Sequence, residues 1–309
     1  MAAARGFITV ATGRREYYVL AHNLLLSYRF HTNDPLPFAI LCDRENALTR
    51  DFDDVVVIDS PKRSFTDKFR ILDLSPYDES IFIDADSLAY SDLNGLWDVF
   101  KDAPPFGILG RACPPDSDRV WLDPGNAGIY KDKLEYLIIC QGGIYYVRKD
   151  GLKDFRDTVD YILGHYAEFK FRLFPSVPSD ETIFSLACSV HRYLPPCTWS
   201  HIFGYYPDIK RFYGLDIRSG VLEYIFNWQK EGKHYPENGS FLLHWGSVAT
   251  RSKPYIQEAE RLRSASEGKE VRPLRIAFAC AGAWFRSAPA ALIPNGIKSA
   301  LYKLLHKKQ

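Results

Sequence analysis

The sequence predicts an α/β fold: a mostly parallel sheet with helices on both faces, a smaller antiparallel portion, and a basic helical C-terminal tail. Three observations predict it. In the first part of the chain short apolar runs alternate with helical patterns, and each parallel strand pair so formed needs a crossover connection. One apolar run stops at two carboxylates, and sheets of this kind bind ligands beyond the carboxyl ends of their strands. Finally, residues 271–309 hold seven Lys or Arg and no Asp or Glu.

Taken in order, Phe7 to Thr12 reads as the first strand. The helix after it has an apolar face of Tyr17, Leu20, Ala21, Leu24 and Tyr28, at helical spacings. Phe38 to Cys42 and Val55 to Ile58 read as the next strands, with a helix expected between them, and Thr66 to Leu74 as another helix. Ser80 to Asp84 follows as a buried strand. Beyond Ile108 the order loosens: Arg111 to Cys140 reads as a long insertion, Gln141 to Val147 as a strand, and Leu152 to Phe171 as one long helix. Ten aromatic residues without clear periodicity lie between Trp199 and Tyr235.

With 309 residues, 46% hydrophobic and 25% charged, the chain can bury a sizeable core, which excludes disorder as the default. No linker or repeat divides it, so one catalytic domain (1–270) and a tail (271–309) are expected. Apart from the tail, 32 basic residues face 38 acidic ones, and a mildly acidic body argues against a nucleic-acid partner. The N-terminal stretch MAAARGFITVATG lacks the apolar region of a secretory signal, so a cytoplasmic protein is expected. The six cysteines form no C-x-x-C pair, and neither a zinc site nor a disulfide framework is suggested.

The chemistry centres on Ile81-Phe82-Ile83-Asp84-Ala85-Asp86. In an extended chain residues i and i+2 point the same way, so both carboxylates can face one hard cation, Mn²⁺ or Mg²⁺, completed by substrate phosphates. Phosphatases with a nucleophilic Asp also begin with a strand and D-x-D. They add a later acidic pair such as G-D-x-x-x-D, which does not occur here.

Several blocks, in order, resemble glycosyltransferase family 8, the retaining enzymes that include glycogenin and bacterial lipooligosaccharide galactosyltransferases. Ile8-Thr9-Val10-Ala11-Thr12 with Tyr17 resembles that family's base and ribose segment. Phe65-Thr66-Asp67-Lys68-Phe69 ahead of Asp84-Ala85-Asp86 resembles its helix with a donor-site Lys and its metal motif, and Asp92 to Trp97 takes the place of the motif's continuation. Cys140 to Val147 resembles the strand whose side-chain amide touches the donor sugar, with Gln141 where the family has Asn. Pro178-Ser179-Asp180-Glu181 resembles its D-Q pair, making Asp180 the candidate beside the anomeric carbon, with Glu181 replacing the Gln. Leu242-Leu243-His244-Trp245-Gly246, followed by Lys253-Pro254-Tyr255, resembles the segment that carries the third metal ligand, His244, and a diphosphate-binding Lys. The stretch from Gly246 to Lys253 is longer than the family's, so either Arg251 or Lys253 is the candidate cation.

The resemblance covers about residues 7 to 256 and implies a GT-A type fold, Rossmann-like, holding Mn²⁺ or Mg²⁺ and a UDP-sugar donor. It implies hexose transfer with retention to a carbohydrate or glycolipid acceptor. Its departures leave open a second reading, an inactive sugar-nucleotide-binding or scaffold protein. Trp199, Phe203, Tyr205, Tyr206, Phe212, Tyr213 and Trp228 are candidates for a sugar-stacking cleft or for core.

In the tail, Ile297, Ala300, Leu301, Leu304 and Leu305 share a helical stripe edged by Lys298, Lys303, Lys307 and Lys308. Two readings stay open: peripheral contact with an anionic membrane surface, and docking on the catalytic domain or a second subunit. The uncharged run Ile276 to Phe285 falls short of the about 20 residues that span a bilayer.

Overall fold

The structure, a computed structural model, describes residues 4–230, 241–246, 248–270 and 273–287. The predicted basic stripe of 297–308 and Tyr235 lie outside these. Two compact units are present, Met1–Gly246 and Ser247–Gln309.

In the first unit, β1 (Arg5–Ala11), α1 (Arg15–His31), β2 (Phe38–Cys42) and β3 (Asp54–Val57) are followed by α2 (Ile71–Leu74) and β4 (Glu79–Ile83). Then come β5 (Ser87–Ala89), α3 (Leu96–Val99), β6 (Phe106–Cys113), β7 (Leu137–Arg148), α4 (Lys153–Gly164), α5 (Tyr166–Phe169) and α6 (Asp180–His191). Four short strands complete it: β8 (Phe203–Tyr205), β9 (Ile209–Asp216), β10 (Val221–Phe226) and β11 (Leu242–His244).

The main sheet has the order β3-β2-β1-β4-β7-β6. Strands β1 to β4 run parallel, β7 is antiparallel to both β4 and β6, and β7 is therefore the sole reversed strand of the six. The chain builds outward from β1 in one direction through β2 and β3 and in the other through β4, so a topological switch point lies between β1 and β4.

Alternating side chains of β1 serve opposite faces. Phe7 packs on Tyr28 of α1 with ring centroids 4.9 Å apart, and on Phe38 at 5.8 Å. Ile8 joins the other face with Phe82 and Tyr145, where Phe155 of α4 and Phe184 of α6 close the core around Phe106. Burial on both faces explains why these strands are apolar throughout rather than alternating.

A second sheet, β5-β11-β8, and the antiparallel pair β9 and β10 form the smaller portion. In the second unit, α7 (Lys253–Ser266) starts at Ser252, whose hydroxyl accepts the Tyr255 amide, and Arg275 of α8 (Pro273–Ser287) pairs with Glu260 at 2.9 Å. Among the described residues no helix is long and apolar enough to cross a membrane.

The structure corrects several sequence expectations. No helix joins β2 to β3: the Asn46 and Thr49 side chains capture local backbone groups and hold Arg44 to Asp53 in turns. Thr66 to Leu74 splits into a 3-10 segment, Phe65–Arg70, capped at Thr66 by Ser64, and the single turn α2. The strand expected from Gln141 begins at Leu137 and β6 extends to Cys113, which shortens the insertion. The long helix Leu152 to Phe171 breaks after Gly164, where the His165 ring bonds the Tyr161 carbonyl. Tyr17 is exposed, and Tyr18 takes its expected place on the buried face of α1.

A methyl group at Gly110 would overlap the Ile139 carbonyl oxygen across the β6–β7 ladder. Gly110→Ala is expected to cost about 1–3 kcal/mol by overpacking. Gly164→Ala, which meets nothing within 4 Å, is expected to stabilise by up to about 1 kcal/mol. Urea midpoints of the two variants check both signs.

Candidate active site

The carboxyl edge of β4 carries the acidic motif. The strand ends at Ile83, and the Ser87 amide donates to the Asp84 carbonyl (3.1 Å), so Asp84, Ala85 and Asp86 form a turn rather than the extended continuation expected. The turn is fixed on both sides: the Asp84 amide donates to Gly143 of β7 at 2.9 Å, and the Trp245 amide donates to Asp86 at 3.0 Å. Ala85 is buried beneath it.

His244 reaches this turn through strand pairing. In the β11–β5 ladder His244 stands opposite Ser87, the residue directly after the motif. Its Nε2 lies 2.9 Å from Asp86 Oδ1 and 3.7 Å from Asp84 Oδ2. One ligand atom from each of the three residues falls within 4.8 Å of the others. Asp86 Oδ1 and His244 Nδ1 are buried, yet neither makes an aligned hydrogen bond among the described residues. Two carboxylates and an imidazole so grouped could hold a divalent metal ion.

Lys68 closes the cluster from the 3-10 segment before α2. Its Nζ lies 2.7 Å from Asp84 Oδ2 and 3.1 Å from Asp180 Oδ2 at the start of α6. Asp180 also accepts the Tyr145 hydroxyl at 2.8 Å, and Glu181 Oε1 accepts the Gly142 amide at 2.8 Å. Glycine is required in this stretch of β7: a Cβ at Gly142 would lie 2.8 Å from the Tyr145 oxygen, and one at Gly143 would lie 3.0 Å from His244 Nδ1. Gln141, in β7 just before them, is half-buried.

Electrostatics follow from crowding four acids around two bases. Burial pushes the Asp84 carboxyl upward, and neighbouring Asp86 adds to the shift while Lys68 opposes it. Burial acts against the ionisation of Asp86 too, but His244 and Lys68 outweigh it and hold its carboxyl below the usual range. Burial disfavours charge on Lys68 and His244, yet the surrounding carboxylates overcome it and raise both. Glu181 is pushed up to about 7, by burial first and then by the charge of Asp180.

A cavity of about 490 Å³ opens at the carboxyl end of β1, lined by Thr12, Gly13, Arg14, Tyr17, Arg44 and Arg63. Asp43, directly after β2, organises it: its carboxylate accepts the Tyr18 hydroxyl, the Gly13 amide at 3.2 Å and Arg63 Nε at 3.0 Å. Burial alone would raise the Asp43 carboxyl, but these donors hold it below the ordinary range. The cavity is tied to the acidic cluster through buried Asp67, which accepts the Thr12 hydroxyl at 2.7 Å and precedes Lys68. Thr12 and Tyr17 were sequence candidates, whereas Asp43 and the three arginines were not. Their one legible signal was Asp43 standing where an apolar strand stops.

Gly246, at φ 71°, ends the first unit just after His244. Arg251 and Lys253 belong to the second unit.

No protein-family model and no curated protein sequence matches the chain. Among solved structures it is similar to the apo form of WbbM, described as a bifunctional glycosyltransferase, with a TM-score of 0.48 and 11% identity over 86% of this chain. The match takes in 51% of that protein, so this chain spans about half its length. It is also similar to an active-site mutant of LgtC, with a TM-score of 0.48 and 11% identity over 89% of this chain and 99% of that one.

Glu181 is ionised at its ordinary 4.5 when unfolded and near 7 when folded, so the folded chain binds the extra proton between those values. Stability from this group is full below pH 4.5 and is lost as pH rises to about 7. Glu181→Gln keeps the acceptor for Gly142 and removes the charge. It is expected to stabilise the metal-free protein at pH 8 by on the order of 3 kcal/mol, with no gain at pH 4. Melting temperatures across that range check it.

Proposed function

We propose that the chain is a metal-dependent retaining glycosyltransferase that moves a hexose from a UDP-sugar to a carbohydrate or glycolipid acceptor. The observation that carries the reading is the convergence of Asp84 and Asp86 with His244, far away in sequence, on one partly buried point beside a nucleotide-sized basic cavity. This is also the arrangement that the family resemblance implies.

In this reading the donor lies along the carboxyl edge from β1 to β4. Thr12, Tyr17 and the three arginines receive the nucleoside end, where guanidinium groups offer donors to carbonyl and phosphate oxygens. Asp84, Asp86 and His244 would hold a divalent ion, which supplies a charge to offset the diphosphate as it leaves. Lys68 adds a buried ammonium on the same side. Asp180, oriented by Tyr145 and Lys68, would stabilise positive charge developing at the anomeric carbon. Gln141 contributes an amide to the sugar's hydroxyls.

Calorimetric titration of UDP with and without Mn²⁺ tests the reading. Affinity that rises at least about tenfold with the ion, and loses that gain in Asp84→Asn/Asp86→Asn, is expected, followed by slow hydrolysis of one UDP-sugar. Equal affinity in all cases overturns it. Metal-dependent binding without cleavage of any donor would leave a sugar-nucleotide-binding protein.

Because the carboxylates favour the protonated form of His244, a metal must displace that proton. Mn²⁺ affinity is therefore expected to climb as pH rises above about 6.5. Titrations in buffers of different ionisation enthalpy would register the released proton.

A further inference from the structure

At the rim of the site two aromatic rings stand in water. Phe65 opens the 3-10 segment that carries Lys68, and Phe174 belongs to the loop between α5 and α6. Their ring centroids lie 6.4 Å apart at 43°, and they are 51% and 41% exposed. Val177 of the same loop is 52% exposed. Scattered single apolar residues on a surface are ordinary, whereas a cluster beside a polar cleft marks a contact site.

The backbone holds one ring outward at a cost. Phe174 has φ 54°, the left-handed region that disfavours a bulky residue, directly before Pro175. The Tyr166 hydroxyl donates to the Phe174 carbonyl at 2.8 Å and lies 3.1 Å from the Thr182 hydroxyl of α6, which pins the turn. On the inner side, Lys68 Nζ is 5.8 Å from the Phe65 ring centroid, and the same atom touches both Asp84 and Asp180. Lys68 thus stands between the Phe65 ring and these carboxylates. A pyranose presents a C–H face to an aromatic plane and a rim of hydroxyls to polar groups, and this site offers both.

We propose that Phe65 and Phe174 form the stacking platform of an acceptor subsite, which takes a pyranose ring and turns its hydroxyl rim toward Asp180. That the ring is the acceptor's rests on the transferase reading above. The exposed faces of Phe65 and Phe174 are open to an incoming glycan, whereas a donor hexose is tethered to its diphosphate beside the carboxylates.

Saturation-transfer NMR on the full chain, with Mg²⁺ and UDP present, tests this using the methyl glycosides of glucose, galactose and mannose as probes. Expected is saturation of the C–H face of at least one glycoside, about tenfold weaker binding in Phe65→Ala and in Phe174→Ala, and unchanged UDP affinity. Phe65→Tyr, which keeps the ring, should retain binding. Phe174→Gly should lose it while raising the melting temperature, since glycine relieves the positive φ and a misfolded variant would melt lower.

No glycoside bound by the wild type, or binding unchanged in both alanine variants, overturns the platform. So does a loss confined to UDP-sugar affinity, which would assign the rings to the donor. Sugar binding is read here without turnover, so a chain that stacks glycosides on these rings but cleaves no UDP-sugar would refute the transferase reading and leave the platform standing.

Discussion

Asp84, Asp86, Asp180 and Glu181 crowd around Lys68 and His244, and this imbalance of acids over bases governs the site. Lys68 is the centre of it, an ammonium shared by a carboxylate after β4 and another at the head of α6. Removing it would leave Asp84 and Asp180 crowded together, with His244, 3.7 Å from Asp84, left to offset their charge. Even with Lys68 in place the burial cost remains visible in the raised carboxyls of Asp84 and Glu181. The cluster is poised to accept positive charge.

The sheet explains why the charges meet. Parallel strands β1 and β4 end on the same edge, and the crossovers that leave them in opposite directions open a crevice there. Reversed β7 threads that edge with Gly142 and Gly143, whose missing side chains let Tyr145, Glu181 and His244 approach. The basic cavity and the acidic cluster become two ends of one edge, linked by the Thr12, Asp67 and Lys68 succession.

Much of the architecture was legible because the core strands are buried on both faces. Phe38 to Cys42 is apolar at every position and could hardly be read as anything but a strand or a buried helix turn. Local hydrogen bonding defeated the reading elsewhere: Asn46 and Thr49 turned an expected helix into a loop, and a Ser87 to Asp84 bond turned an expected extension into a turn. The acidic motif and His244 were found because each sits in a recognisable short block. Arg14, Arg44 and Arg63 were not, since three cations from three segments carry no common pattern until topology brings them together. Phe65 and Phe174 were hidden for the same reason, while much of the aromatic run after Trp199, such as Phe203, Tyr224 and Phe226, is core.

The three-residue ladder between β5 and β11 has a temporal meaning as well as a spatial one. The chain must close a loop from Ser87 to His244 before the imbalance of acids is relieved by an imidazole. Contacts within β1 to β4 span shorter separations and need no part of that closure. A nascent chain lacking β11 thus carries the acidic turn with no imidazole beside it. Assembly of the site is thereby tied to arrival of the chain's later segments, so an unfinished chain holds the scaffold without the complete ligand set.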